Sequence, residues 1–238
     1  MFAKATAILR HSWRQVTGNL AASARIALPR LLVSALAILC SAIAMVARPD
    51  AFPLGFLGMV LAIALLLSVA VSWHRYVLLN ETGPERLWDR VAAYFGWWVA
   101  ISFLGGLAAL PLQLMLLGLP AAHEGWIGLL AGILALWVGL RLSPKLVAAA
   151  LGRQLDLRAA WRATGQEKGV VEVVTAMIGG LFVILGGLAA AAGGLRAEGV
   201  LQYAVPAALV LANLMLALFN LSIITTLYGH YIEGRPLR

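Results

Sequence analysis

Histidine, cysteine and the acidic residues are the side chains of this sequence that could bind a metal or carry out acid–base chemistry. The four histidines are far apart and none belongs to a zinc-binding pattern such as HExxH; they are His11, His74, His123 and His230. The single cysteine, Cys40, lies in an apolar segment, which excludes a disulfide framework and a thiolate metal site. Paired acids and the nucleophile motif GxSxG do not occur. The sequence therefore predicts no catalytic residue, no metal and no cofactor.

A second group of polar residues lies within apolar segments, where an amide either joins helices or lines a pathway. Pro206, Asn213 and Asn220 follow one another at intervals of seven residues in the last apolar segment. At this spacing the three residues share one helix face. Gln113, in the third apolar segment, is the candidate partner. Interhelical hydrogen bonds in membranes average about 0.6 kcal/mol. The three amides therefore predict a polar membrane face that joins helices, with a polar pathway as the alternative.

Three glycine pairs form the most regular pattern in the chain. They are seven residues apart and comprise Gly179, Gly180, Gly186, Gly187, Gly193 and Gly194. Helical periodicity places all six on one broad face without side chains, where a neighbouring backbone can approach closely. We expect this helix-packing face to contact another membrane span.

A short motif begins at the end of the fourth apolar segment. Arg141-Leu142-Ser143 is followed by an alanine-rich stretch, by Trp161 and by Thr164-Gly165. In these residues the chain resembles a group of bacterial polytopic proteins related to the membrane domain of glycerophosphodiester phosphodiesterases, including stand-alone members. It departs from that group at Val147, near which a proline is expected, and at Gln166, where an asparagine is expected. The resemblance implies a membrane module without phosphodiesterase activity, because no soluble catalytic domain is present. It places the motif at Arg141, Ser143, Trp161 and Thr164.

The composition indicates an integral membrane protein. Of the 238 residues 62% are hydrophobic and 12% are charged, whereas soluble domains have about 25% charged residues. A membrane-spanning helix needs about 20 mainly apolar residues. Six segments qualify, at residues 27–46, 52–73, 94–117, 124–142, 170–192 and 201–228. We therefore predict an all-α, polytopic fold with one membrane domain, 1–238, whose six-span bundle occupies 27–228.

Basic residues are unequally divided between the connectors of these segments. Arg48 and Arg196 lie on one side of the membrane, and the other sixteen of the eighteen basic residues lie on the opposite side. The positive-inside rule then places both termini, including a tail at 229–238, in the cytoplasm of a bacterium with the spans in its plasma (inner) membrane. The net charge of +8 is spread over connectors, which favours anionic lipid head groups as partners and argues against nucleic acid.

The first 26 residues predict a cytoplasmic amphipathic helix. Phe2, Trp13 and other apolar residues fall in one arc at 100° per residue, whereas Lys4, Arg10 and Arg14 lie opposite. Trp–Arg segments recur before later spans, at Trp88-Asp89-Arg90 and Trp161-Arg162, at intervals of 75 and 73 residues. These intervals predict three repeats of an interfacial helix followed by a transmembrane hairpin. The alternative is that Trp and Arg are simply common at membrane interfaces.

These patterns favour a non-enzymatic structural or partner-binding module in membrane or envelope upkeep, with unknown membrane or envelope proteins as partners. A small transporter or channel subunit is the alternative. A lipid-modifying enzyme would need converging acids or histidines, and we expect His74 and His230 to lie separately at the interface.

Overall fold

A computed structural model describes residues 1–47, 52–83, 86–115, 124–194 and 201–237, and all regular structure in them is helical. The helices are α1 (Phe2–Thr17), α2 (Leu20–Ala47), α3 (Phe52–Leu79), α4 (Leu87–Met115), α5 (Glu124–Leu151), α6 (Leu157–Thr164), α7 (Val170–Gly194) and α8 (Leu201–Tyr231). All but α1 and α6 are long and apolar enough to cross a membrane. The predicted all-α polytopic architecture with six spans is confirmed. Arg48, His123 and Arg196 lie outside the described residues.

Three of the long helices extend seven or more residues further toward the basic connectors than the predicted spans. Helix α2 begins at Leu20 instead of 27, α4 begins at Leu87 instead of 94, and α5 continues to Leu151 instead of ending at 142. The length of an apolar segment indicates how much of a helix can lie in the hydrocarbon core of a bilayer. The helix itself can continue into the polar region, because its backbone hydrogen bonds are made within the helix. Hydropathy therefore places these helix ends seven to nine residues inside the observed ones.

Most buried side chains lie at one end of the bundle. This basic end, as we call it, comprises α1, α6, the described residues of the connector between α3 and α4 (80–83 and 86), the connector 152–169, the tail 232–237 and the adjoining turns of the six spans. Its fully buried residues include Trp73, Val147, Val174 and Ile223. Toward the other end the apolar side chains are exposed, among them Leu36, Leu107, Ile184 and Leu211. Such surfaces are unfavourable in water but match the acyl chains of a bilayer.

The spans pack as two close hairpins and a looser pair. Helices α2 and α3 are in contact along much of their length, and so are α4 and α5. Helices α7 and α8 have fewer mutual contacts, and the buried residues of α7 end near Ile178. No separate helix precedes α4 in the described residues, because Asn80 ends α3 with a φ of 57° and Trp88 already lies in the first turn of α4. The segment before the third predicted span is thus helical from Leu87, as expected, but it forms the first turns of α4 and not a helix of its own.

Helix α1 is amphipathic, as predicted, but a different face is buried. Its buried residues are Ala5, Ile8, Ser12 and Val16, and they face α8 and α7. Phe2 is 66% exposed and Trp13 is 49% exposed, although Trp13 contacts the ring of Phe219 edge-on. The buried face is rotated by about 60° from the predicted apolar arc, at 100° per residue. The rotation follows from packing on the bundle, which buries the aliphatic residues and Ser12, while the aromatic residues remain at the side.

Candidate functional site

Arg141 is the centre of one polar cluster at the basic end. Its side chain is 12% exposed, and Nη2 donates a hydrogen bond to the carbonyl of Trp161 at 3.1 Å. The guanidinium carbon lies 4.5 Å from the ring centroid of Trp161 and 5.8 Å from that of Trp137. The two indoles meet edge to face with centroids 5.3 Å apart. Cation–π contacts of this kind contribute about 0.5–2 kcal/mol each. The cluster therefore fixes α6 against α5.

Thr164 closes the same junction from the other side. Its hydroxyl donates to the carbonyl of Arg141 at 2.9 Å and also contacts carbonyls of its own helix. Gly165 follows directly, and an added Cβ there would lie 2.5 Å from Nη2 of Arg141. A side chain at position 165 would thus displace the guanidinium. The three motif residues Arg141, Trp161 and Thr164 are brought together by the fold.

Ser143, the fourth motif residue, acts within α5. Proline has no N–H, so Pro144 cannot donate to the carbonyl of Leu140 four residues before it. The buried hydroxyl of Ser143 donates to that carbonyl at 2.8 Å. The replacement bond explains why α5 continues through Pro144 to Leu151. It also explains why Ser143 takes no part in the cluster around Arg141.

Glu172 completes the cluster at the start of α7. Its Oε1 lies 3.6 Å from Nη1 of Arg141 and accepts a hydrogen bond from the Trp137 indole at 3.2 Å. With 45% of its side chain exposed, Glu172 contributes a weak, solvent-screened ion pair. The cluster around Arg141 thus joins α5, α6 and α7. The two terminal nitrogens of Arg141 contact Glu172 and the carbonyl of Trp161, whereas its Nε is buried without a hydrogen-bond partner.

Glu167 ties the connector before α7 to two other elements. Lys4 of α1 forms an ion pair with its carboxylate, and the Tyr231 hydroxyl of α8 donates to Oε2 at 3.1 Å. Burial by itself raises the pKa of Glu167, but the hydrogen bonds from Lys4 and Tyr231 and the positive charge of Lys4 outweigh it. The pKa of Glu167 is therefore below its ordinary value. The carboxylate stays charged at neutral pH and holds α1 near the end of α8.

His74 is the centre of a second cluster, between α3, α4 and α8. It is fully buried, with Nδ1 2.8 Å from the Thr225 hydroxyl and Nε2 3.3 Å from the Tyr94 hydroxyl. The Thr225 hydroxyl donates to the carbonyl of Leu221, so it accepts from Nδ1–H of His74. Nε2 then accepts from Tyr94. The expected interfacial position of His74 is wrong, and His230 lies apart from it and contacts the carbonyl of Arg235.

Hydroxyl groups continue this second cluster along α8. The Trp73 indole donates to the Ser222 hydroxyl at 3.0 Å, and the hydroxyls of Ser12 and Thr226 are 2.9 Å apart. Sequence reasoning missed these contacts. The available signal was a group of hydroxyl residues at the last turns of α8, at a spacing of three or four: Ser222, Thr225 and Thr226.

A polar cavity at the basic end lies beside this second cluster. Its volume is about 570 Å³, and it is bounded by α1, α3, α8 and the tail, with Gln15, Tyr76 and His230 among its lining residues. Arg235 of the tail donates to the carbonyl of Leu78 at 3.0 Å and so covers the cavity. Within the described residues no group of three or more His, Cys, Asp or Glu side chains could hold a metal.

The predicted polar membrane face is not assembled. Gln113 is exposed on α4, and Asn213 is exposed on α8, where its amide donates to the carbonyl of Leu209 in the same helix. Asn220 is partly buried, and its Oδ1 is buried without a hydrogen-bond partner. The prediction that these amides join helices is wrong for Asn213, because that amide is satisfied by its own backbone.

The predicted helix-packing face is wrong for three of its six glycines within this chain. Gly180, Gly186 and Gly187 are exposed, and nothing lies within 4 Å of a Cβ added at any of them. Gly179 alone is buried, with the Ile133 side chain 3.4 Å from such a Cβ. The reason is that α7 packs through its first half and faces outward beyond it. For the last pair, Gly193 and Gly194, the structure describes the backbone of α7 and not the surroundings.

Comparison of the chain with protein-family models, curated proteins and solved structures gives no match.

Replacing Thr164 by valine tests the junction between α5 and α6. The isosteric change removes the hydrogen bond to the Arg141 carbonyl, and we expect a loss of about 1 kcal/mol. For a chain of this size that loss lowers the midpoint of thermal unfolding by about 2–4 °C. The measurement is thermal aggregation of the purified protein in detergent.

Thr6→Val is the matched control. Thr6 is exposed and its hydroxyl contacts only carbonyls of its own helix, so the midpoint should not change. Equal midpoints for the wild type and Thr164→Val would show that the junction does not contribute to stability.

Proposed function

We propose that this multi-pass membrane protein is a non-enzymatic structural or partner-binding module of a bacterial plasma membrane, acting in membrane or envelope upkeep. The proposal is based on the hydrogen bonds that the buried polar side chains of the protein make. Each buried Ser, Thr and His side chain of the described residues is hydrogen-bonded to another side chain or to a carbonyl. A catalytic centre needs a nucleophile or base aimed at a substrate. Buried groups that are engaged in hydrogen bonds within a helix or between helices support a structural role.

The motif cluster supports the same proposal. Arg141, Trp161 and Thr164 are the residues on which the resemblance to bacterial membrane domains is based, and they hold α6 on α5. We propose that this segment is the shared structural unit of that group. Its contacts stabilise the fold and suggest no reaction, in keeping with a module that works through partners.

A small transporter or channel subunit is the other candidate. A pathway requires polar groups that continue from one side of the membrane to the other. In the described part of the chain the polar cavities lie at the basic end, whereas Gln113 and Asn213 are exposed on separate helices. This distribution favours a module over a transporter.

We further propose that the basic end faces the cytoplasm and contacts anionic lipid. Several of its cationic side chains are exposed, among them Arg14, Arg25, Arg86, Arg158, Arg162 and Lys168. Near an anionic membrane surface each such charge contributes about 1 kcal/mol of attraction. The division of basic residues supports the same orientation.

Cysteine labelling tests the orientation. Gln154 is exposed in the connector between α5 and α6, and the only native cysteine is removed by Cys40→Ser. With Gln154→Cys in that background we expect an impermeant maleimide to react only after the cells are opened. Reaction in intact cells would reverse the proposed topology.

Reconstitution in liposomes tests the module against the transporter. We expect no saturable uptake of ions or small metabolites above that of liposomes without protein, because the described spans form no continuous polar pathway. Radiolabelled uptake and ion-sensitive dyes provide the measurement. If saturable uptake is observed and is lost in Asn213→Leu, the protein is a transporter and the proposed structural role is wrong.

A further inference from the structure

A second cavity lies where the chain turns from α1 into α2. It has a volume of about 490 Å³ and is open on one side, between the first turns of α2 and the last turns of α3. The residues that line it include Asn19, Arg25, Arg30, Ser72 and Tyr76. Two arginines and several hydroxyl and amide groups thus face one space.

The cavity has an unbalanced positive charge. Nη1 of Arg30 donates to the carbonyl of Ile26 at 3.2 Å and to the Ser72 hydroxyl at 3.0 Å, and both acceptors are neutral. Arg25 is exposed at the same cavity. None of the described lining residues is acidic. An arginine that is removed from bulk water is favourable when a carboxylate or a phosphate neutralises it.

The backbone adds donors to the same wall. The first hydrogen bond of α2 in this turn runs from the N–H of Ser23 to the carbonyl of Asn19. The amides of Leu20, Ala21 and Ala22 precede it and are the unsatisfied donors of a helix start, and these three residues line the cavity. Tyr76 keeps Asn19 in place through a hydrogen bond of 3.0 Å to its Oδ1. The arginines and this helix start therefore attract the same kind of ligand.

The position along α2 corresponds to the head-group level of a bilayer. The span ends at Val46, about 24 Å from Arg30 at 1.5 Å per residue, and a bilayer core is about 30 Å thick. The long arginine side chain covers the remaining distance. Leu28 and Leu32, on either side of Arg30, are exposed apolar residues that can contact acyl chains.

We propose that this cavity binds a phosphate group, held by Arg25, Arg30 and the first amides of α2. The phosphate belongs either to the head group of an anionic phospholipid or to a free phosphate ion. Arginine suits this ligand because its planar fork of donors matches phosphate oxygens. The site deepens the proposed contact with anionic lipid, on which its lipid form rests, by naming one cavity and a phosphate group as the ligand.

Titration of the full chain in a non-ionic detergent tests the site. The ligands are dioctanoyl-phosphatidylglycerol, dioctanoylglycerol as the same chains without phosphate, and sodium phosphate against sodium chloride at equal ionic strength. The shift of the thermal aggregation midpoint with ligand concentration gives an apparent Kd. We expect saturable stabilisation by a phosphate-bearing ligand and none by dioctanoylglycerol or chloride.

Arginine-to-glutamine variants inside and outside the cavity test which residues bind the phosphate group. Arg25→Gln and Arg30→Gln should each weaken binding about tenfold, the loss of one charge-assisted hydrogen bond. Arg10→Gln removes the same charge from an exposed residue of α1 outside the cavity and should leave the apparent Kd unchanged. If Arg30→Gln does not fold, Arg25→Gln decides, since its side chain is exposed.

The source of the phosphate is identified by the ligand whose stabilising effect is saturable and is weakened by Arg25→Gln and Arg30→Gln but not by Arg10→Gln. Stabilisation by the phospholipid alone indicates a lipid site, and stabilisation by sodium phosphate with the same dependence on Arg25 and Arg30 indicates a free-ion site. The proposal would be overturned if neither the phospholipid nor sodium phosphate gave saturable stabilisation, or if Arg10→Gln weakened binding as much as Arg25→Gln and Arg30→Gln do. These results do not depend on the uptake experiment, so either one can fail alone.

Discussion

Hydrogen bonds between buried polar side chains at the basic end are the interactions on which the rest of the structure depends. Acyl chains are as apolar as leucine, so the hydrophobic effect gives membrane helices little reason to associate. A buried hydroxyl or imidazole without a partner costs about 1–3 kcal/mol. The pairs His74–Thr225, Trp73–Ser222 and Ser12–Thr226 therefore specify which helix faces meet, even though each bond adds little stability by itself.

The Arg141 cluster applies the same principle at the membrane surface. A short helix such as α6, with eight residues, is not stable alone in water. Its carbonyl at Trp161 and its hydroxyl at Thr164 are bonded to Arg141, and the indole of Trp161 packs beneath the guanidinium. These contacts turn a segment of marginal helix into a fixed part of the bundle. They also explain why arginine, and not a shorter cation, suits position 141.

The long spans could be predicted from the sequence because they depend on local signals, and the residues of the Arg141 cluster could be named as a motif, although their mutual contacts were not predicted. An apolar segment of about 20 residues is a membrane-spanning helix whatever surrounds it. Arg141, Trp161 and Thr164 stand out because they interrupt apolar sequence within 24 positions of one another. The helix ends were harder to predict, since hydropathy does not report where Ser143 replaces the hydrogen bond that Pro144 lacks.

The remaining features depend on tertiary packing, which no single segment encodes. His74 looked like an interfacial residue because it ends an apolar run, but Tyr94 and Thr225 come from helices that are distant in sequence. The buried face of α1 depends on the position of α8. The glycine pairs predicted close packing, but Gly186 and Gly187 are on the exposed side of α7, whose buried residues end near Ile178.

Disulfide formation between α1 and α8 tests most directly whether paired polar side chains define the basic end. The hydroxyls of Ser12 and Thr226 are 2.9 Å apart, which places their Cβ atoms within reach of a disulfide. In a Cys40→Ser background, Ser12→Cys with Thr226→Cys should be oxidised in most of the folded protein, as measured by mass spectrometry of the linked peptides. Arg10→Cys with Thr226→Cys should not be linked, because Arg10 is exposed on the opposite side of α1. Failure of the first pair to form, or equal linkage of both pairs, would contradict this account.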